Sequence, residues 1–138
     1  VISTVEKVLF LKGVDLFASI PGEELTHIAH ITDEVEYPVE ATIFTEGDQG
    51  DAMYLIVSGN VQVHSGSQVL ADLGTRQCFG EISILDAEPR SATVSATSEL
   101  TLLKIQQSDF GEILAEKPEI AQGIIKVLTR RLREANKR

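Results

Sequence analysis

Between residues 33 and 105 the chain consists of short β-type segments that are separated by glycine-containing turns. The segments are rich in β-branched and other apolar residues, and their length is typical of strands. The pattern predicts strands at 34–37, 42–45, 53–57, 61–64, 68–73, 92–97 and 100–105. The turn signals between them are Glu46-Gly-Asp-Gln-Gly-Asp, Ser58-Gly-Asn, Ser65-Gly-Ser and Leu73-Gly. Several short strands at this spacing favour a sandwich, a jelly roll or a small barrel-like roll.

Helical periodicity is found on both sides of this β region. Residues 1–31 predict two helices, of which the second opens at Pro21, with Leu16-Phe17 as a buried turn between them. Residues 107–136 predict two more, with Ser108 as an N-cap and Pro118 in the first turn of the last helix. The predicted apolar faces are Val5, Val8, Leu9 and Leu11; Leu25, Ile28 and Ala29; Phe110, Ile113 and Leu114; and Ala121, Ile124, Ile125, Leu128, Leu132 and Ala135.

Length and composition fit one globular domain. The chain has 138 residues, of which 43% are hydrophobic and 24% charged, so it is long enough to bury a core. No apolar run approaches the roughly 20 residues of a spanning helix, and no secretory signal is recognisable. We expect a mainly β fold, an antiparallel, jelly-roll-like β-roll at 33–105 flanked by helices at 1–31 and 107–138. Because the chain starts at Val1, a removed presequence or a lost partner domain stays open.

Cys78 is the only cysteine. A disulfide framework is therefore excluded, and a reducing, cytoplasmic setting is expected. Cys78 lies in the apolar approach to Phe79, which favours a small buried hydrophobic residue over a reactive thiol.

The charge is acidic overall and unevenly distributed. The formal net charge is −9, and an acidic body repels polyanions, so we expect no direct nucleic-acid binding by this domain. The basic side chains crowd the last nine residues: Arg130, Arg131, Arg133, Lys137 and Arg138. Positive charge is favoured at a helix C-terminus, which is the simplest explanation of this basic tail. The alternative is a tail that docks a partner or touches DNA.

A single helical turn at 80–85 interrupts the strands, within the segment 79–94. Gly80 at a helix start lets the backbone approach an anion, and the free N–H groups of that turn are donors. Arg90 offers a guanidinium fork to phosphate oxygens, whereas Glu81 accepts from a hydroxyl. Together they favour a ligand with an anion and a free hydroxyl, as in a nucleoside cyclic phosphate. The simpler alternative is a salt bridge between Arg90 and Glu81, with Gly80 merely starting a turn.

The same segment resembles a known family. Phe79-Gly-Glu-Ile-Ser-Ile-Leu followed by Pro89-Arg-Ser-Ala-Thr-Val is similar to the phosphate-binding cassette of the cyclic nucleotide-binding domain family. That family includes regulatory subunits of cyclic AMP-dependent protein kinase, the bacterial catabolite activator protein and cyclic nucleotide-gated channels. The glycines of Glu46-Gly-Asp, Ser58-Gly-Asn and Leu73-Gly resemble the family's β-roll, and the resemblance covers almost the whole chain.

The resemblance implies a ligand site and the role of each residue in it. Glu81 would bind the ribose 2′-hydroxyl and Arg90 the cyclic phosphate, while backbone N–H groups of the cassette complete the cradle. Ser91 stands where a threonine in some members favours guanine, which leaves the base undecided, with cyclic AMP expected over cyclic GMP. The full predicted ligand-binding set is Phe79, Gly80, Glu81, Ile82, Ser83, Arg90, Ser91 and Ala92.

The resemblance also implies a regulatory sensor in signal transduction rather than an enzyme. Binding would be relayed through the C-terminal helices, acting as lid or hinge, to an effector domain or partner protein outside this chain. The amphipathic last helix needs a partner surface, either the β region or another copy of the chain, and the second case would give a homodimer. Many members cap the base with an aromatic from the C-terminal helix, but no aromatic follows Phe110. A cap would have to be aliphatic, Leu128 or Leu132, or come from a neighbouring subunit.

Two functions of other classes are the alternatives to a sensor. A metal-dependent cupin needs clustered histidines on neighbouring strands, but His27 and His30 fall on a predicted helix and His64 ends a strand. Surface histidines are the better interpretation, and neither catalytic residues nor a metal or cofactor is expected. The second alternative is a docking or dimerisation module that keeps the fold without a ligand. The sequence leaves the effector and the oligomeric state open.

Overall fold

The computed structural model describes residues 2–81, 85 and 88–137. Their strands form two four-stranded sheets in which all pairings are antiparallel, with orders β1-β8-β3-β6 and β2-β7-β4-β5. The strands are β1 Thr32–Tyr37, β2 Thr42–Phe44, β3 Ala52–Ser58, β4 Val61–Ser65, β5 Gln68–Leu73, β6 Cys78–Phe79, β7 Thr93–Ala96 and β8 Leu100–Gln106. The predicted antiparallel β-roll with flanking helices is confirmed.

All seven predicted strands are present, with ends shifted by at most two residues. The strand β6 was missed, because its two residues are too few to show a period. β1 begins earlier than predicted, at Thr32, whose buried hydroxyl donates to the Ala29 carbonyl at 2.8 Å. Half of the predicted helical turn at 80–85, residues 82–84, lies outside the described residues; Glu81 and Leu85 have helical backbone, whereas Gly80 does not.

Four α-helices flank the sheets in the described part of the chain: α1 Thr4–Leu11, α2 Leu25–His30, α3 Gln107–Glu116 and α4 Pro118–Asn136. The predicted opening of the second helix is instead a 3-10 turn, Gly22–Glu24, and a second such turn covers Asp15–Phe17. Pro118 starts α4 as predicted. The prediction of Ser108 as N-cap is wrong, because β8 runs directly into α3 and Gln106 occupies the cap position without a side-chain hydrogen bond.

Two predicted helical faces are partly wrong. In α1, Leu11 is buried, but Val5 and Leu9 are 69% and 62% exposed. In α4 the buried face is Ile120, Gly123, Ile124 and Val127, whereas Ile125, Leu132 and Ala135 of the predicted stripe are exposed. α4 carries two apolar stripes, and packing selects the one with Gly123. A Cβ there would lie 3.0 Å from the Ser19 carbonyl oxygen, so the absence of a side chain permits the close approach.

Strand β3 is buried on both faces and divides the core in two. Met53 and Leu55 face a cluster built with the helices, whereas Ala52, Tyr54 and Ile56 belong to a second cluster formed by residues of both sheets. Two-sided burial explains why β3 reads as a continuous apolar run rather than an alternating one. The second cluster also contains Phe79 and Val94, which line the cavity described next.

Candidate functional site

A cavity of about 300 Å³ is lined by residues of both sheets and of the segment that connects β6 to β7. Its volume lies at the lower end of small-molecule sites. Most of the lining is apolar, and the polar groups come from the segment after β6. The lining residues are Phe44, Val63, Leu73, Cys78, Phe79, Gly80, Glu81, Arg90, Ser91, Ala92 and Val94.

Arg90 supplies the positive charge of this cavity. Its side chain is 5% exposed. Nη2 donates to the Ala52 carbonyl at 2.6 Å and Nη1 donates to the Gly80 carbonyl at 3.2 Å. The guanidinium carbon lies 3.9 Å from the centre of the Phe44 ring, a distance typical of a cation–π contact.

The backbone of Arg90 is also fixed. Its N–H donates to the Asp48 carbonyl at 2.7 Å, and its carbonyl accepts from Gly47 N–H at 2.9 Å. Gly47 has φ +91°, a conformation that glycine adopts without strain. The turn between β2 and β3 therefore presents Arg90 to the cavity.

The guanidinium of Arg90 is incompletely satisfied. Its Nε is buried and has no hydrogen-bond partner among the described residues. No ion pair of the described residues includes Arg90, so the predicted alternative of a salt bridge with Glu81 is not observed. Burial lowers the pKa of Arg90, yet a guanidinium stays charged at any ordinary pH. A buried cation with a spare donor is a receptor for an anion.

Gly80 fits against this guanidinium. Its φ is +80°, and a Cβ at this position would lie 2.6 Å from Arg90 Nη1 and 3.1 Å from the Ala52 carbonyl oxygen. Both the backbone conformation and the close approach therefore require glycine here.

Glu81 lines the same cavity and has helical backbone. The thiol of Cys78 donates to Glu81 Oε2 at 3.6 Å. Burial, reinforced by the nearby Glu81 carboxylate, raises the pKa of Cys78 to about 12. Because its pKa is raised, the half-buried thiol is protonated at neutral pH. This favours the interpretation of Cys78 as an unreactive thiol.

Six of the eight predicted site residues line the cavity, and Ile82 and Ser83 lie outside the described residues. The apolar wall of the cavity was not predicted from the sequence; it is formed by Phe44, Val63, Leu73 and Val94. Alternation along the predicted strands was the available signal, but it does not tell which sheets face one another. The predicted caps do not line the cavity: Leu132 is 62% exposed, and Leu128 packs against the helix-side core.

The histidines of the described residues lie apart from this cavity. His27 Nε2 is 3.8 Å from a Glu24 carboxylate oxygen, and His64 Nε2 is 3.0 Å from Ser95 Oγ. Within residues 2–81, 85 and 88–137, no three His, Cys, Asp or Glu side chains are grouped so that they would hold a metal ion. None of the helices described there combines the length and apolarity of a membrane span.

Comparison with known proteins gives consistent matches. The family model described as "Cyclic nucleotide-binding domain" matches residues 34–117. The cyclic AMP receptor protein of Thermus thermophilus is 37% identical over 131 residues, which cover 91% of this chain and 61% of that protein. A CRP-like cAMP-activated global transcriptional regulator of Mycobacterium tuberculosis is 32% identical over 123 residues, covering 83% of this chain and 55% of that protein. This chain therefore spans little more than half the length of these curated relatives.

Solved structures match as well. The N-terminal domain of a transcriptional regulator from Streptomyces coelicolor superposes with a TM-score of 0.85 at 33% identity, covering 93% of this chain and 95% of that chain. The catabolite activator protein of Thermus thermophilus gives a TM-score of 0.75 at 36% identity, with 88% of this chain and 60% of that chain covered.

Proposed function

Because the chain belongs to the cyclic nucleotide-binding domain family, we propose that its cavity binds a cyclic nucleotide and that the domain acts as a regulatory sensor. The observation that most supports this proposal is the state of Arg90. It is a buried cation that lines the cavity, and its Nε has no hydrogen-bond partner among the described residues. A cyclic phosphate supplies the missing anion, and its oxygens accept from the guanidinium.

The lining of the cavity supports the remaining roles, while those of Ile82 and Ser83, which lie outside the described residues, rest on the family resemblance. Glu81 accepts from the ribose 2′-hydroxyl. Gly80 supports the phosphate site because the absence of a side chain lets the guanidinium of Arg90 lie against its backbone. Ile82 and Ser83 add backbone donors, and Phe79, Ser91 and Ala92 complete the ligand shell. The apolar wall of Val63 and Leu73 accommodates the base.

Cyclic AMP is the proposed ligand in preference to cyclic GMP. Two relatives that match most of this chain are named for cyclic AMP, whereas Ser91 by itself does not decide between the two bases. Titration calorimetry with both nucleotides tests this: saturable binding with the lower dissociation constant for cyclic AMP is expected. Saturable binding of neither nucleotide by the folded protein would contradict the proposal.

The signal leaves the cavity through the C-terminal helices. Ligand phosphate draws Arg90 and the 80–85 turn inward, and the apolar side chain of Leu85, which is exposed here, moves with it. α3 and α4 then repack over the β-roll and change the surface presented to an effector outside this chain. A ligand shifts such an equilibrium only by binding one state more tightly. Hydrogen exchange in 107–138 should change on saturation; unchanged exchange would rule out this relay.

The exposed stripe of α4 supports a homodimer. Ile125 and Leu132 are 60% and 62% exposed, and half-buried Leu128 lies between them. Spacings of three and four residues are those of a coiled-coil seam, so we propose a second copy of α4 as the occupant. Light scattering should show a dimer that Ile125→Lys with Leu132→Lys converts to monomer, whereas Gln122→Lys on an exposed polar position does not. An unaltered dimer in the double variant would exclude this seam.

The same stripe favours the second candidate, a ligand-free docking or dimerisation module. A dimer that binds neither nucleotide would support that alternative over a sensor. In either case we propose residues 1–138 as one domain of a cytoplasmic protein, since a lone cysteine suits a reducing compartment.

A further inference from the structure

Glu81 lies between two neighbouring cavities with cations on both sides. It lines the 300 Å³ cavity together with Arg90, and it lines a smaller cavity of about 260 Å³ together with Arg76 and Arg131. The proposed function requires the carboxylate to face the first cavity, where the ribose hydroxyl would be. Attraction by Arg76 acts toward the second, where Arg131 is already paired with Asp15. Some contact must therefore fix the direction of this side chain.

Cys78, which lines both cavities, provides a contact at their boundary. Its Sγ is 3.6 Å from Glu81 Oε2, and its backbone belongs to β6, where Cys78 pairs with Leu55 of β3. Glu81, in contrast, follows the last residue of the sheet by two positions and comes directly after Gly80, whose φ is +80°. The thiol is thus attached to the rigid side of the contact. Because its pKa is about 12, the thiol keeps its proton and donates.

We propose that Cys78 is a positioning residue for ligand recognition, whose thiol holds the Glu81 carboxylate at the boundary of the two cavities and so keeps it available to the ribose 2′-hydroxyl. This inference rests on the proposed function, and it assigns Cys78 a task that an apolar residue of equal size could not perform. The residue was predicted only as a small buried hydrophobe.

A ligand without the 2′-hydroxyl distinguishes a positioning role of Cys78 from a packing role. Calorimetry would compare cyclic AMP with 2′-deoxy cyclic AMP on the parent and on Cys78→Ala, Cys78→Val and Cys78→Ser. Loss of the donor in Cys78→Ala and Cys78→Val should weaken the affinity for cyclic AMP by about 3- to 10-fold, which corresponds to the usual net contribution of one modest hydrogen bond. The deoxy analogue has no hydroxyl for Glu81, so its affinity should stay within about twofold on the same reasoning. Cys78→Ser, which retains a donor, should recover most of the loss.

The variants guard against a trivial effect of packing. Cys78→Val fills the space of the sulfur but has no donor, so it can replace Cys78→Ala in the comparison if the alanine variant does not fold. Thermal unfolding of each variant without ligand shows whether it is folded. Equal weakening of both nucleotides, or of neither, would overturn the inference while leaving the proposed function intact. A folded parent that binds neither nucleotide would instead overturn the proposed function, and the inference with it.

Discussion

Arg90→Ala should abolish most of the affinity for cyclic AMP. In the parent the guanidinium is 5% exposed, so a phosphate bound to it is withdrawn from water and depends on it for compensation. Truncating one member of a buried, hydrogen-bonded charge pair costs about 2–5 kcal/mol. That range corresponds to a loss of roughly 30- to several-thousand-fold in the dissociation constant.

Calorimetry at one fixed salt concentration measures this loss, with Arg133→Ala as the matched control. Arg133 is exposed on α4 and lines only a groove of that helix, so its removal changes the net charge equally without touching the cavity. The control should bind within about twofold of the parent, because exposed charges contribute little. A folded Arg90→Ala protein that binds as well as the control would refute the assignment of the phosphate site.

Arg90→Lys separates charge from geometry. An ammonium on a flexible stem keeps the charge but lacks the planar fork that now reaches two carbonyls, at 2.6 Å and 3.2 Å. Its affinity should fall between those of the parent and Arg90→Ala. If the lysine variant equals the parent, the fork is dispensable and only the charge matters.

Two further perturbations test the frame around the site. Gly80→Ala places a Cβ 2.6 Å from Arg90 Nη1 and should lower both the nucleotide affinity and the melting temperature. The control Gly111→Ala, where a Cβ meets nothing within 4 Å, should leave the affinity unchanged and stabilise α3 by about 0.5–1 kcal/mol. Calorimetry measures the affinities, and thermal unfolding measures the stabilities. Hydrogen bonds from Arg131, with help from Arg130, hold the pKa of Asp15 below its usual 3.8, so its contribution is present at neutral pH and is lost as pH falls through the lowered pKa. Urea unfolding should show Asp15→Asn less stable by roughly 0.2–1 kcal/mol near pH 7, with the difference disappearing in acid; a difference that grows in acid would contradict the sign.

The strands could be predicted from sequence because each is a local pattern bounded by turn residues. β6 could not, since Cys78 and Phe79 alone carry no period. The buried face of α4 depends on tertiary contact. Both of its stripes are apolar, and the contact of Gly123 with the Ser19–Ile20 backbone and side chain selects one.

The candidate site likewise contains residues that the sequence predicts and residues that it does not. The polar residues of 79–94 are close in sequence and carry recognisable chemistry, so Gly80, Glu81 and Arg90 could be proposed in advance. The apolar wall comes from strands far apart in sequence, such as β2 with Phe44 and β4 with Val63. Its composition follows from which sheets face one another, and no local pattern encodes that.

The position of Arg90 also explains why the site suits a sensor. A charge buried without an ion pair among the described residues costs free energy in the unliganded protein, and two carbonyls with the Phe44 ring offset only part of that cost. An anionic ligand removes the remainder, so binding stabilises the cavity and its surrounding segments together. Arg131 lines the second cavity beside Glu81 and also binds Asp15 at 3.0 Å. Glu81 therefore lies next to a contact that ties α4 to the N-terminal turn, and the relay proposed above would reach α4 through this contact.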